Sequence, residues 1–206
     1  MPSLKVYIRE SNIEKLKRFR DRQHDKSPDY WTVEELKQIL DAVDTRWRDV
    51  FEFLYVTGLR VGEMINLTWN DVKLTADPPT LTIQIKIDWT AKTKGIKTIP
   101  LNSRAVELIS KQEHSSKHDR IFKGPNGGRI KYDDMHHRLD EALVKLGLVG
   151  KLHKFRHTFA SHLAMKGKSI NSISELLGHR NIQQTLRYAH LAEGHLKDVS
   201  ESLLED

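Results

Sequence analysis

The chain has 206 residues, and its 34 lysines and arginines outnumber its 28 aspartates and glutamates to give a net charge of +6. That excess is modest, so it indicates a polyanionic partner such as nucleic acid without establishing one. The absence of cysteine excludes a disulfide framework, a thiolate nucleophile and a cysteine-based zinc site. No apolar run approaches the roughly 18 residues that span a bilayer, and no signal-peptide core is present. We therefore expect a cytoplasmic protein with no membrane contact.

The first 30 residues differ from the rest of the chain in composition. We interpret residues 1–30 as a basic extension and linker, with one helix over residues 14–20, and residues 31–206 as one folded domain. The basic side chains of the extension are Lys15, Lys17, Arg18, Arg20 and Arg22. A charge run is usually a solvated face, so charge alone does not distinguish nucleic-acid binding from an ordinary exposed surface.

Folded structure is predicted to begin at Thr32. Thr32 and Glu35 have the spacing of a capping box, and apolar residues then recur at helical intervals through Val43. A second helix is predicted over residues 47–56, ending at Gly58, and a third begins near Arg60.

The hydrophobic period then changes from helical to alternating. Residues 81–87 alternate strictly and residues 96–101 partly, with residues 90–95 as the hairpin turn and residues 71–74 as a short third strand. Further helices are predicted over residues 103–111, 132–146, 153–166, 169–177, 183–190 and 194–203. The predicted class is α+β, mainly helical with a small antiparallel three-stranded sheet.

Two segments carry basic residues that, taken one at a time, have ordinary structural explanations. Arg60 follows a helix end, where an arginine is usually a surface cation or the partner of a carboxylate such as Glu63. Lys92, Lys94 and Lys97 lie on or beside the hairpin tip, where lysine also discourages strand pairing. The functional alternative is that one of these lysines reaches a phosphate or protonates a leaving oxygen.

The helix that begins at His153 is more informative. His153 and Arg156 are three apart and therefore share a helical face that can border a cleft. His153 and His157 have the spacing of a zinc-protease helix, but Lys154 stands where that motif requires a glutamate base, so zinc chemistry is disfavoured. We expect His157 and His162 to be packed or hydrogen-bonded helix histidines.

The last informative stretch surrounds Gly178. This glycine is predicted to end one helix, with His179 in the following turn and Tyr188 on the next helix. Ile182, Leu186 and Ala189 are expected to form the apolar face of that helix. A single helical tyrosine is ordinarily a half-buried amphipathic residue.

Taken together, these segments supply the groups that metal-free phosphodiester transfer requires. Arginine guanidinium groups neutralise charge on nonbridging phosphate oxygens. Tyrosine can form a phosphodiester that conserves bond energy for a second transfer, and histidine and lysine can move the protons.

The ordered set of motifs resembles the catalytic domain of the tyrosine recombinases, the phage integrase family, from residue 30 to the end. The motifs are the segment from Thr57 to Glu63 that contains Arg60, the hairpin Lys92, His153 with Arg156, Leu176–Leu177–Gly178–His179, and Tyr188. The resemblance implies that Arg60 and Arg156 clamp the phosphate. It implies Lys92 as general acid, His153 as proton acceptor or phosphate ligand, His179 as a phosphate hydrogen-bonder and Tyr188 as nucleophile. Lys92 is preferred to Lys94 and Lys97 for its distance from Pro100.

The same resemblance implies an activity and partners. It implies a site-specific recombinase acting on double-stranded DNA through a 3′-phosphotyrosyl link, as a tetramer, with neither metal ion nor nucleotide cofactor. The task would be integration, excision or resolution of a mobile element or replicon, and residues 193–204 could pack on a neighbouring subunit. Tyr188 is expected to be mobile and displaced from the arginines without DNA.

Family members usually carry about a hundred further residues ahead of this domain, whereas about thirty stand here. The chain is thus either a catalytic fragment or a naturally short enzyme. Relaxation of DNA in the manner of a type IB topoisomerase, and a non-catalytic DNA-binding module, remain the alternative functions.

Overall fold

The computed structural model describes residues 29–84, 96–114, 116 and 118–195. Four predicted features lie outside these residues. They are the basic extension with its helix at residues 14–20, the hairpin tip with Lys92 and Lys94, residues 85–87 of the predicted strand, and the helix after His195.

The described part of the chain is mainly helical, as predicted. In chain order the α-helices are Val33–Asp41 (α1), Thr45–Thr57 (α2), Val61–Met64 (α3), Ser103–Ser110 (α4), Tyr132–Leu146 (α5), His153–Met165 (α6), Ile170–Leu177 (α7) and Gln183–Leu186 (α8). Two 3₁₀ helices span Trp69–Asp71 and Ala189–His195. No helix in the described ranges is long and apolar enough to cross a membrane.

Local side-chain contacts explain where the helices begin and end. Thr32 accepts a hydrogen bond from the backbone N–H of Glu35 while the Glu35 side chain accepts one from Thr32, so the predicted capping box forms at α1. Gly58 ends α2 with a φ of 63°, and a Cβ there would lie 2.4 Å from the Phe159 ring. Glycine is therefore required for both the left-handed turn and the close approach of α6.

A small antiparallel sheet follows α3, as predicted. Its strands are Val72–Lys73 (β1), Thr80–Ile83 (β2) and Lys97–Pro100 (β3), in the order β1-β2-β3. Leu81 pairs with Ile99 across β2 and β3, and both side chains are buried. The alternation of apolar and polar residues in the sequence thus corresponds to one buried face of the sheet.

Two clusters of apolar side chains place α6 at the centre of the domain. In the larger cluster Phe155 stacks on Phe51 of α2 with ring centroids 5.2 Å apart, and meets Trp31 edge-on at 4.9 Å. The smaller cluster joins α6 to α7 and to the segment after α8. Its buried members are Ala160, Ala164, Ile173, Leu177 and Tyr188.

The segment that carries Tyr188 differs from the prediction. The expected continuous helix stops at Leu186, and Tyr188 lies in the turn before the last 3₁₀ helix. Ile182 and Leu186, predicted to form the buried face, are 39% and 42% exposed, whereas Thr185 and Tyr188 are buried. The N–H of Tyr188 donates to the carbonyl of Thr185, an interval of three, so the chain here winds in 3₁₀ fashion and turns a different set of residues inward.

Candidate active site

A cavity of about 610 Å³ opens where α6, the Gly178 turn and the Tyr188 segment meet. Five of the six residues predicted to act at one phosphate line it, and Lys92 lies outside the described residues. The lining residues are Arg60, His153, Arg156, His157, Gly178, His179, Arg180, Gln183, Gln184, Arg187 and Tyr188. The size is typical of small-ligand sites.

Arg156 forms the floor of this cavity and is only 4% exposed. Its Nη1 donates to the carbonyl of Gly58 and its Nη2 to the carbonyl of Leu177, each at 2.7 Å. Both acceptors lie at helix C-termini, where the helix dipole favours a cation. Burial lowers the pKa of Arg156 to about 10, so the guanidinium remains charged at neutral pH.

Arg60 approaches the cavity from the start of α3. Its Nη1 donates to Glu63 Oε1, and its backbone N–H donates to Oε2 of the same carboxylate, both at 2.9 Å. Arg60 therefore pairs with Glu63, one of the two ordinary roles considered for it, and it also lines the cavity. Because Glu63 is 3% exposed and its position is determined by the helix, the pair orients the Arg60 guanidinium at the cavity wall.

His179 follows the left-handed Gly178 that ends α7, as predicted. Its backbone N–H donates to the carbonyl of Ser174 at 3.0 Å, and its Nδ1 lies 2.8 Å from Thr185 Oγ1. These contacts at two points orient the ring. Burial and the nearby Arg156 and Arg60 lower the pKa of His179 to about 4, so the imidazole is neutral at physiological pH.

Tyr188 reaches the cavity from the opposite side and is 2% exposed. It lines the same cavity as both arginines, so the expected displacement from them is not observed. Its hydroxyl lies 2.6 Å from His157 Nδ1. Burial raises the pKa of the Tyr188 hydroxyl, although Arg187 and Arg156 oppose that shift.

Sequence reasoning missed His157 and Lys97 at the site, and it also missed Arg180, Gln183, Gln184 and Arg187, which line the cavity. His157 was predicted to be packed or hydrogen-bonded, which is confirmed, but nothing in its spacing identified Tyr188 as the partner. Lys97 was set aside in favour of Lys92, yet its side chain runs across Gly178, where an added Cβ would lie 2.6 Å from Lys97 Cδ. Burial lowers the pKa of Lys97 to about 8, against the attraction of Glu63.

The rim of the cavity is more exposed and also basic. His153 stands on it as predicted, with its ring centroid 5.4 Å from that of His157. Arg180 and Arg187 add two exposed cations. Within the described ranges, no three histidine or acidic side chains come together as metal ligands would. The arrangement favours an anion such as a phosphodiester.

Comparison with known protein sequences gives a consistent result. A sequence model of the phage integrase family matches residues 29–195. Tyrosine recombinase XerC of Bacillus subtilis (strain 168) is 29% identical over 196 residues, which cover 86% of this chain and 62% of that protein. A tyrosine recombinase of Thermosipho africanus (strain TCF52B) is 29% identical over 203 residues, covering 95% of this chain and 68% of that protein. The chain thus spans between 62% and 68% of the length of these two relatives.

Solved structures share the fold. XerA recombinase superposes with a TM-score of 0.65 and 24% identity, covering 87% of this chain and 64% of that one. The catalytic domain of bacteriophage HP1 integrase gives a TM-score of 0.63 and 26% identity, covering 84% of this chain and 93% of that one. Tn1549 transposon integrase in complex with transposon right end DNA superposes with a TM-score of 0.69 and 19% identity, covering 85% of this chain and 67% of that one.

Proposed function

The chain belongs to the phage integrase family, and from that membership we propose that it is a metal-independent DNA strand transferase that performs site-specific recombination. We assign the catalytic domain to residues 31–206 and treat residues 1–30 as a basic extension that contributes to DNA binding. The observation that carries the proposal is that Arg60, Arg156, His153, His179 and the buried Tyr188 all line one cavity.

The proposed reaction begins when the Tyr188 hydroxyl attacks a scissile phosphate. The new bond joins Tyr188 Oη to phosphorus, the bond from phosphorus to the 5′ oxygen breaks, and a 3′-phosphotyrosyl link remains. The 5′ hydroxyl of a partner strand then attacks that link and releases the tyrosine. Each transfer exchanges one phosphodiester for another, so neither a nucleotide nor a metal ion is consumed.

The arginines stabilise the charge that develops on the nonbridging oxygens. Arg156 is held by two carbonyls and Arg60 by Glu63, so both cations are oriented before substrate arrives, which is the condition for electrostatic stabilisation of a transition state. His153 and His179 border the same cavity and donate hydrogen bonds to phosphate oxygens in this proposal.

We assign protonation of the departing 5′ oxygen to Lys92. The assignment is supported by the family resemblance of the segment from Lys92 to Pro100. Lys97 is the competing lysine, but its Nζ is buried, so it does not reach a substrate oxygen in this conformation.

The proposed partners are double-stranded DNA with specific sites and further copies of the chain. A basic cavity rim supports DNA as the ligand, and the Tn1549 integrase of the same fold has been solved with DNA. Recombination of paired sites requires four active subunits, so we propose a tetramer on DNA. The task is integration, excision or resolution of a mobile element or replicon.

The function is tested with a pool of nicked suicide duplexes whose arms are randomised. Because the nicked fragment diffuses away after cleavage, a covalent protein–DNA adduct accumulates and is isolated by denaturing electrophoresis. We expect an adduct in the wild-type chain and none in Tyr188→Phe, and sequencing the trapped DNA defines the site. An adduct that persists in Tyr188→Phe would falsify the nucleophile assignment.

The selected site also separates the alternative functions. Recombinant products between two copies of the site support recombination, whereas loss of supercoils alone supports topoisomerase-like relaxation. DNA binding without any adduct supports a non-catalytic module. Since phosphate contacts dominate affinity, binding should weaken steeply with salt.

A further inference from the structure

The shortest hydrogen bond of Tyr188 among the described residues is with a residue that has no role in the reaction outlined above. His157 Nδ1 lies 2.6 Å from Tyr188 Oη, inside the cavity. A second pair of the same chemistry occurs on the same helix, where His162 Nδ1 lies 3.0 Å from Tyr55 Oη. Neither His162 nor Tyr55 lines the cavity. The chain therefore contains its own control for what such a pair does outside the site.

The protonation states of His157 and Tyr188 determine which of the two donates the hydrogen bond. Burial, with the charges of His153 and Arg187 after it, lowers the pKa of His157 to about 4, so the imidazole is neutral at physiological pH. Burial raises the pKa of Tyr188, so the phenol keeps its proton. A phenol hydroxyl is the better donor of the two, and it donates to an unprotonated Nδ1 when the His157 proton is on Nε2.

We propose that His157 is a further catalytic residue, the base that accepts the proton of Tyr188 as the phenol attacks the phosphate. The proposal rests on the proposed strand transfer and adds one step to it. The proton moves from Tyr188 Oη to His157 Nδ1 while the Oη–P bond forms and the P–O5′ bond breaks. The same imidazolium returns the proton to Tyr188 when the partner strand displaces it.

The structure already has the geometry that a general base requires. A general base must lie within about 2.6–3.2 Å of the atom it deprotonates, and His157 meets that condition. His153, the other candidate on α6, is exposed on the cavity rim, whereas His157 is half-buried beside the Tyr188 hydroxyl. His153 is then left to contact the phosphate.

The charges around His157 couple proton transfer to substrate binding. His153 and Arg156 on α6 and Arg187 beside Tyr188 all disfavour a cationic His157, and Asp29 ahead of α1 opposes them. A bound phosphodiester adds a negative charge, which favours the imidazolium and disfavours a free phenolate. Tyr188 therefore stays protonated until it attacks, and His157 takes up the proton only as the Oη–P bond forms.

The resting hydrogen bond is tested without DNA. Long-range ¹H–¹⁵N spectra of the full chain labelled in histidine report the tautomer of each ring, and His157→Asn identifies the His157 signals. We expect a neutral His157 with its proton on Nε2 and an Nδ1 shift that changes in Tyr188→Phe. A proton on Nδ1, or no response to Tyr188→Phe, overturns the proposal.

The catalytic step is tested by single-turnover adduct formation on the selected suicide duplex from pH 6 to pH 9.5. Asparagine retains an acceptor near the Nδ1 position but is not basic, and leucine has no acceptor. We expect His157→Asn and His157→Leu to react about 10²–10⁴-fold more slowly at pH 7, with unchanged DNA affinity. The deficit should shrink toward high pH, because the phenol ionises without an acceptor. His162→Asn and His162→Leu should keep the wild-type rate.

Three results would contradict the inference, and they differ in whether the proposed strand transfer is contradicted as well. A wild-type rate in His157→Leu overturns this inference and leaves strand transfer intact. Full rescue by His157→Asn shows that the residue only orients Tyr188, and it likewise overturns the base assignment. Failure of the wild-type chain to form an adduct at Tyr188 removes both the proposed function and this step. Thermal unfolding of each variant separates loss of fold from loss of chemistry.

Discussion

Arg156 combines a proposed catalytic charge with a structural connection between distant parts of the chain. Its two hydrogen bonds join the carbonyl that ends α2 to the carbonyl that ends α7. Neither carbonyl is easily satisfied by water, because Arg156 is buried between them. The planar fork of a guanidinium suits two divergent acceptors, whereas an ammonium presents a single point of charge.

We therefore predict that Arg156→Lys loses stability as well as activity. One of the two carbonyls is left without a donor and a buried charge is misplaced, which lowers the free energy of unfolding by about 2–4 kcal/mol. Arg60→Lys, where lysine can still pair with Glu63, should lose about 1 kcal/mol or less. Urea denaturation of both variants measures the difference, and equal losses would contradict the assigned role of the fork.

Lys97 differs from Arg156, because its buried ammonium group is not stabilised by hydrogen bonds within the described part of the chain. Its Nζ is buried and has no hydrogen-bond partner among the described residues. The pKa of about 8 lies below the ordinary 10.5, so the unfolded chain holds this proton more tightly. The free energy of unfolding should rise as pH increases from 8 to 10.5, and the cost of burying the charge is fully present below pH 8.

Lys97→Met should accordingly stabilise the protein at pH 7. The methionine side chain is similar in length and apolar, so the gain is on the order of 1–3 kcal/mol, and the rise above pH 8 should diminish. Lys168→Met, at an exposed lysine before α7, serves as the control and should change stability by about 0.5 kcal/mol or less. Urea denaturation at pH 7 and pH 9.5 tests this, and a destabilised Lys97→Met would show that the ammonium is paired in solution.

At the scale of elements, the turn at Gly178 connects the two halves of the site. Its φ of 67° ends α7, and its missing side chain leaves room for Lys97. Gly147 ends α5 with a φ of 66°, but nothing lies within 4 Å of its added Cβ. The two glycines thus share a backbone conformation and differ only in their surroundings.

Substituting each glycine by alanine separates these two effects. Gly147→Ala should lose about 1–2 kcal/mol from the left-handed conformation alone. Gly178→Ala should lose about 1–3 kcal/mol more, because the Lys97 side chain must move, and His179 should shift with it. Thermal or urea unfolding of the two variants checks the difference, and equal losses would show that Lys97 moves without cost.

The elements that the sequence predicted well are those specified by neighbours in the chain. The capping box at Thr32 and the helix Tyr132–Leu146 depend on interactions within a few residues, which are readable from spacing. The segment around Tyr188 depends instead on α6 and α7, whose side chains draw Tyr188 inward and leave Leu186 exposed. His157 escaped assignment for the same reason, since its partner lies 31 positions away.

At the scale of the whole molecule, the cavity brings several arginines close to histidines that are neutral at physiological pH. The pKa values of His157 and His179 are both about 4, below the ordinary 6.5, so the unfolded chain takes up these protons first as pH falls. The free energy of unfolding should therefore be highest above pH 6.5 and should decrease between pH 6.5 and pH 4.

A double variant, His157→Asn with His179→Asn, isolates this contribution. It lacks both titrating rings, so its loss of stability between pH 6.5 and pH 4 should be smaller than that of the wild-type chain. Urea unfolding at half-unit pH steps gives the two slopes. Equal slopes would indicate that the loss in acid comes from other groups.

The long-range contacts of Arg156 also have a consequence for synthesis on the ribosome. Arg156 binds Gly58, 98 positions earlier, and Leu177, 21 positions later, while Tyr188 comes after all three. Domains generally fold as units during translation, so the hydrogen bond from Arg156 to Leu177 and the buried cluster that contains Tyr188 form only when nearly the whole domain has left the ribosome. A chain released at Leu177 would lack both His179 and Tyr188 and would leave the smaller apolar cluster incomplete, so we expect it to be less stable than the full chain as well as to lack the proposed nucleophile.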